Sequence, residues 1–102
     1  MTQRYFATEE YWIMTGWDRP CQNFFLTIYD REAFDPGNDI VYSTLDDEFS
    51  DGYGGLPLDQ IMAKMTQYGL TPPATLRDDL LADQAANRGD LRVTYPFLKE
   101  SK

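Results

Sequence analysis

The segment that decides the fold is Tyr11-Trp12-Ile13-Met14-Thr15-Gly16-Trp17, followed after Asp18-Arg19-Pro20 by Asn23-Phe24-Phe25-Leu26-Thr27-Ile28-Tyr29. Aromatic and β-branched residues dominate both runs, and such residues suit a pleated, buried surface. Trp12, Met14 and Gly16 fall on one face of the first run; Tyr11, Ile13, Thr15 and Trp17 fall on the other. Both faces carry large apolar groups, which predicts a strand that is central or covered on both sides. In the second run Phe24, Leu26 and Ile28 alternate against Phe25, Thr27 and Tyr29. Between them, Pro20 removes a backbone donor and biases Arg19 towards extended geometry, so the chain turns there.

Working outward, Gln3 to Thr8 reads as a strand forming a hairpin with the Tyr11–Trp17 run across Glu9-Glu10. Asp35-Pro36-Gly37-Asn38 places Pro and Gly as a type II turn requires, and Ile40 to Leu45 reads as a fourth strand paired to the third. From Asp46 to Gly55 the chain is acidic, then glycine-rich, and without period: a loop. Leu58, Ile61, Met62 and Met65 then mark one helical face, with Pro57 in the first turn and Gly69 as a left-handed cap followed by Leu70. A second helix spans about Ala74 to Asn87, with Leu76, Leu80 and Leu81 inward and Arg77, Asp78, Asp79 and Asp83 outward. Leu91 to Tyr95 closes the sheet. The expected fold is α+β: an antiparallel sheet of four or five strands with two helices packed together on one face, in the order β-β-β-β-α-α-β. Residues 1–98 form one domain and residues 99–102 a frayed tail.

Composition narrows the function. With 42% hydrophobic and 15% aromatic residues, a chain of 102 residues can build one core without staples. The single cysteine, Cys21, has no intramolecular partner and points to a reducing compartment; with no signal-peptide pattern and no apolar run long enough for a membrane span, a cytoplasmic location is expected. The net charge of −8 repels phosphate backbones and anionic lipid, which argues against direct nucleic-acid or membrane binding. That charge is local. Asp30 to Asp51 holds eight acids (Asp30, Glu32, Asp35, Asp39, Asp46, Asp47, Glu48, Asp51) against one base, Arg31, and the remaining chain nearly balances.

Enzymatic chemistry finds little support in these residues. There is no histidine, the commonest general base and metal ligand, and Cys21 therefore lacks a histidine to activate it. Asp47, Phe49, Asp51 and Gly52 imitate part of a calcium loop, but Phe49 occupies the third position and Leu58 the twelfth, where ligands belong. Gly52-Tyr53-Gly54-Gly55 precedes a helix but lacks the Lys and Ser/Thr of a phosphate loop. Carboxylates abound, yet in loops and on solvent faces. A non-enzymatic role without cofactor or metal is expected.

The acidic stretch carries either solubility or recognition. Phe34, Tyr42, Phe49 and Tyr53 interleave with its acids, and aromatics beside charge serve as interface anchors while the acids steer encounter. The expected partner is a protein with a basic surface, contacted through Asp35, Asp39, Asp46, Asp47, Glu48, Phe49, Asp51 and Tyr53. Acids spaced along a strand can also imitate a phosphate track, as a mobile-element inhibitor of a host nuclease of anti-CRISPR or anti-restriction type would. Trp17 and Arg19 form a second candidate, either a buried structural corner with Arg19 over an aromatic face or a binding hot spot. Monomer and homodimer are both compatible with these features.

The stretch Gly16-Trp17-Asp18-Arg19-Pro20 with Gln22 and Phe24-Phe25 resembles a motif in a family of small uncharacterised proteobacterial proteins. The Leu45-Asp46-Asp47 turn, the glycine-proline break after the first helix, and Asp83, Asn87 and Arg88 at the end of the second resemble the same family. The resemblance implies no activity. It places Cys21 where that family carries an aliphatic residue, which implies that no thiol is required.

Overall fold

The computed structural model describes residues 1–8, 10–30, 40–47, 50 and 55–95. Five strands form one sheet: β1 (Thr2–Ala7), β2 (Tyr11–Asp18), β3 (Asn23–Asp30), β4 (Ile40–Ser43) and β5 (Leu91–Thr94). A 3-10 turn (Thr44–Asp46) follows β4, and two helices, α1 (Leu58–Gln67) and α2 (Leu76–Ala86), precede β5. The order across the sheet is β4-β3-β2-β1-β5. The α+β class and element order expected above are observed.

The sheet is mixed rather than antiparallel throughout. The first four strands form the expected antiparallel meander, but β5 runs parallel to β1, with Arg4 opposite Val93. The reason is connectivity: the two helices carry the chain from the β4 edge to the far edge, and such a crossover can return in the direction of β1. The fourth strand is also shorter than expected. Thr44 leaves the ladder, and its Oγ1 accepts the backbone N–H of Leu26 at 3.1 Å, so a side chain replaces the missing strand partner. Leu56 extends the same edge by exchanging two backbone hydrogen bonds with Phe24.

One face of the sheet supplies the core. Phe6, Ile13, Trp17, Phe24, Leu26 and Ile28 point towards Leu58, Ile61 and Met65 of α1 and Leu76 and Leu80 of α2. Helix α1 lies against β3 and α2 against β2. Pro57 caps α1 one residue before its first turn, where a missing N–H costs nothing. Gly69 closes it in the left-handed region (φ 71°), with Leu70 N–H donating to Met65 O and Gly69 N–H to Thr66 O.

Helix α2 departs from the expected assignment at two residues. Leu81, expected inward, is exposed, whereas Asp83, expected outward, is wholly buried. The helical period explains both, because Leu76, Leu80 and Asp83 share the inner stripe at i, i+4 and i+7. A charge is tolerated there only because it is paired. The Asp35–Asn38 turn, Phe97-Leu98 and the tail fall outside the described residues.

Candidate functional site

Three clusters of polar and aromatic side chains are fixed by this frame. The first is a buried ionic network. Arg4 donates from Nε and Nη2 to the two carboxylate oxygens of Asp83, each at 2.8 Å, and from Nη1 to the Tyr95 hydroxyl at 3.0 Å. Tyr95 donates in turn to Asp79 at 2.6 Å, and Arg88 Nε sits 3.1 Å from Asp83. The hydrogen bonds to Asp83 outweigh burial and raise the Arg4 pKa further. Burial, reinforced by donation to Asp79, pushes Tyr95 up to about 12. The cluster fastens β1, α2 and the segment after β5 together.

The second is the Trp17 corner. Trp17 is only 2% exposed and packs edge-on against Phe24, with ring centroids 5.0 Å apart. Its Nε1 donates to Asn87 Oδ1 at 3.1 Å, and the same oxygen accepts from Gln22 Nε2 at 2.7 Å. Gln22 and Asn87 both adopt positive φ (55° and 47°), so two left-handed residues meet across the end of α2. Trp17 is therefore a structural residue with no ring face for a partner. Arg19 is exposed, and its Nη1 lies 3.4 Å from where a Cβ on Gly89 would stand. The fold thus brings Trp17 and Gln22 together with Asn87, which lies 70 and 65 residues away from them in the chain.

The third cluster anchors the acidic stretch. The Tyr42 hydroxyl donates to Asp47 Oδ2, and Lys64 Nζ stands 3.9 Å from the same oxygen and 5.2 Å from the Tyr42 ring centre. Burial, followed by the bond to Asp47, raises the Tyr42 pKa. The Asp47 side chain is only 6% exposed. It turns inward to α1, whereas its neighbours Leu45 (73% exposed) and Asp46 face solvent. Of the expected contact residues, Asp46 is thus presented and Asp47 is not. Asp35, Asp39, Glu48, Phe49, Asp51 and Tyr53 lie outside the described residues.

Sequence reasoning missed a fourth feature. The sheet face opposite the helices carries Tyr5, Trp12, Met14, Phe25 and Tyr29, and no described helix lies over it. Trp12 is 41% exposed, and Tyr5, Trp12, Met14 and Tyr29 line a shallow apolar depression of about 430 Å³. Met14 borders a second hollow with Met1, Phe25 and Leu45. The signal was present in the two-sided apolarity of β2, which two helices on one face can cover only once.

No protein-family model, curated protein or solved structure matches the chain. Among the described residues no group of three or more Cys, Asp or Glu side chains is placed to hold a metal ion, and no helix is long and apolar enough to cross a membrane.

Proposed function

We propose that the protein is a small interaction module that engages a basic protein surface at its β4 edge. The observation that carries this reading is the composition of that edge. Ile40, Val41 and Leu45 are exposed there, and Asp46 follows them directly on a turn fixed by Asp47. An outer strand keeps unpaired backbone groups that a partner segment can use, and exposed apolar side chains beside a carboxylate suit a partner of opposite charge. The acids of the Asp30–Asp51 stretch add long-range attraction that raises the rate of encounter.

The test is capture of partners from lysate, with the captured protein then purified and titrated. Binding should weaken as salt rises and should fall in Asp46→Arg, whose fold is expected to be intact. Binding unchanged by that variant would refute the reading. Neutralising Asp47 would be a poor probe, because its carboxylate holds the turn.

A further inference from the structure

We infer that the sheet face over which no described helix lies is covered by a second copy of this chain, giving a face-to-face dimer with its two-fold axis along β2. The inference uses a surface other than the proposed β4 edge, save for Leu45 and Asp46.

The symmetry of the sheet suggests the axis. β2 is the middle strand of five, so a half-turn about a line parallel to it sets β1 over β3 and β5 over β4 of the second copy. Such a turn keeps each residue at its own level along the strands. Two rows of side chains then become complementary in size. Ala7, Trp12 and Tyr29 share one row, and Tyr5, Met14, Thr27, Ser43 and Thr94 share the next. Tyr29 falls over Ala7 and Tyr5 over Thr27, large on small in both cases, while Thr94 meets Ser43. On the axis, Trp12 meets Trp12 and Met14 meets Met14. Aromatic pairs stack well when offset, and the unbranched Met side chain adapts to what it meets.

Charge agrees at the edges. Arg92, on β5, belongs to the open face, where its guanidinium lies 5.9 Å from the Tyr5 ring centre. It pairs with Gln3, one row beyond the Arg4–Thr15 pair. Leu45, on the turn that follows β4, reaches the opposite side of the same face, where it lines a hollow with Met14, Asp18 and Phe25. The half-turn brings the Arg92 stem over Leu45 and its head to Asp46, twice per dimer. The area is sufficient for a weak complex. Five strands of these lengths span about 24 by 20 Å, roughly 1,000 Å² for both copies, near the lower bound of specific interfaces. Opposing association are Glu10 and Asp18 near the ends of β2 and the net charge of −8 on each copy. Salt screens that repulsion, so this dimer should tighten as salt rises, whereas capture of a basic partner should weaken.

Sedimentation and light scattering across a concentration series test the inference. The mass should rise from 11.8 kDa towards twice that value as concentration increases. Trp12→Glu and Arg92→Glu should each weaken dimerisation by about 10-fold or more. Circular dichroism and thermal unfolding should show both variants folded. The charge swap Arg92→Glu with Asp46→Arg should restore the dimer. A mass fixed at 11.8 kDa throughout the series would overturn the inference, as would a dimer indifferent to both single variants. Trp12→Glu leaves the β4 edge intact, so loss of the dimer with retained capture separates this inference from the proposed function.

Discussion

Arg4 and Asp83, 79 residues apart, form a two-pronged ion pair sealed between the sheet and α2. Asp83 is fully buried and Arg4 nearly so. Removing Asp83 leaves the buried Arg4 guanidinium with only a longer carboxylate contact, to Asp79 at 3.9 Å, whereas removing both partners leaves no such charge. Asp83→Ala should therefore lower unfolding free energy by about 3–5 kcal/mol in urea titration. Arg4→Met with Asp83→Leu should recover most of that loss, and failure to recover would show that the pair itself is favourable.

Alkaline pH should expose the tyrosine that completes this network. Tyr95 is raised from 10.0 to about 12 by burial and by its bond to Asp79. The folded state then holds the phenolic proton more tightly than the unfolded chain. Its contribution is fully present below pH 10 and is lost as pH rises towards 12. Tyr95→Phe should flatten the decline of stability in that window, measured by denaturant unfolding at a series of pH values. A decline just as steep would assign it elsewhere, first to Tyr42, whose pKa is also raised.

Gly16 is required by proximity rather than by backbone freedom. A Cβ there would stand 2.0 Å from the carbonyl oxygen of Thr2. That atom belongs to the neighbouring strand and cannot swing aside. Gly16→Ala should cost at least about 1–3 kcal/mol, the usual penalty of forced overpacking, seen as a lower melting temperature.

Asn87 sets two preferences against each other. Glycine is favoured at a left-handed helix end, so Asn87→Gly relieves backbone strain. It also strands the Trp17 indole N–H, which donates to Asn87 at 3.1 Å, and leaves Gln22 Nε2 with Arg19 O alone as acceptor. A buried unpaired donor costs about 1–3 kcal/mol, more than the gain at the cap, so the variant should be less stable.

Asp46 and Asp47 are adjacent and should behave differently. Asp47→Asn should destabilise the fold by about 1–3 kcal/mol through the Tyr42 and Lys64 contacts, while Asp46→Asn leaves stability unchanged. Chemical denaturation of the two variants side by side checks this, and equal losses would contradict the division.

Strand positions, the α1 face and its Gly69 cap were legible in local pattern, because period and cap chemistry act over a few residues. The Trp17 segment stayed open between a structural corner and a binding hot spot until its indole N–H was seen to meet Asn87. The inward turn of Asp83 was not legible. Its carboxylate reads as surface until Arg4, at the other end of the chain, is seen to meet it. Asp46 and Asp47 were equally indistinguishable, since their difference depends on Tyr42 and on Lys64 in a later helix.

Residue order alone therefore determined the class of fold, the succession of elements and the concentration of negative charge between Asp30 and Asp51. Tertiary structure decided the direction of β5, which carboxylates face inward and which side of β2 meets α1 and α2. These are outcomes of long-range pairing: a charge is buried only where a distant partner offsets its desolvation, and a helix settles on the sheet face whose apolar side chains meet its own.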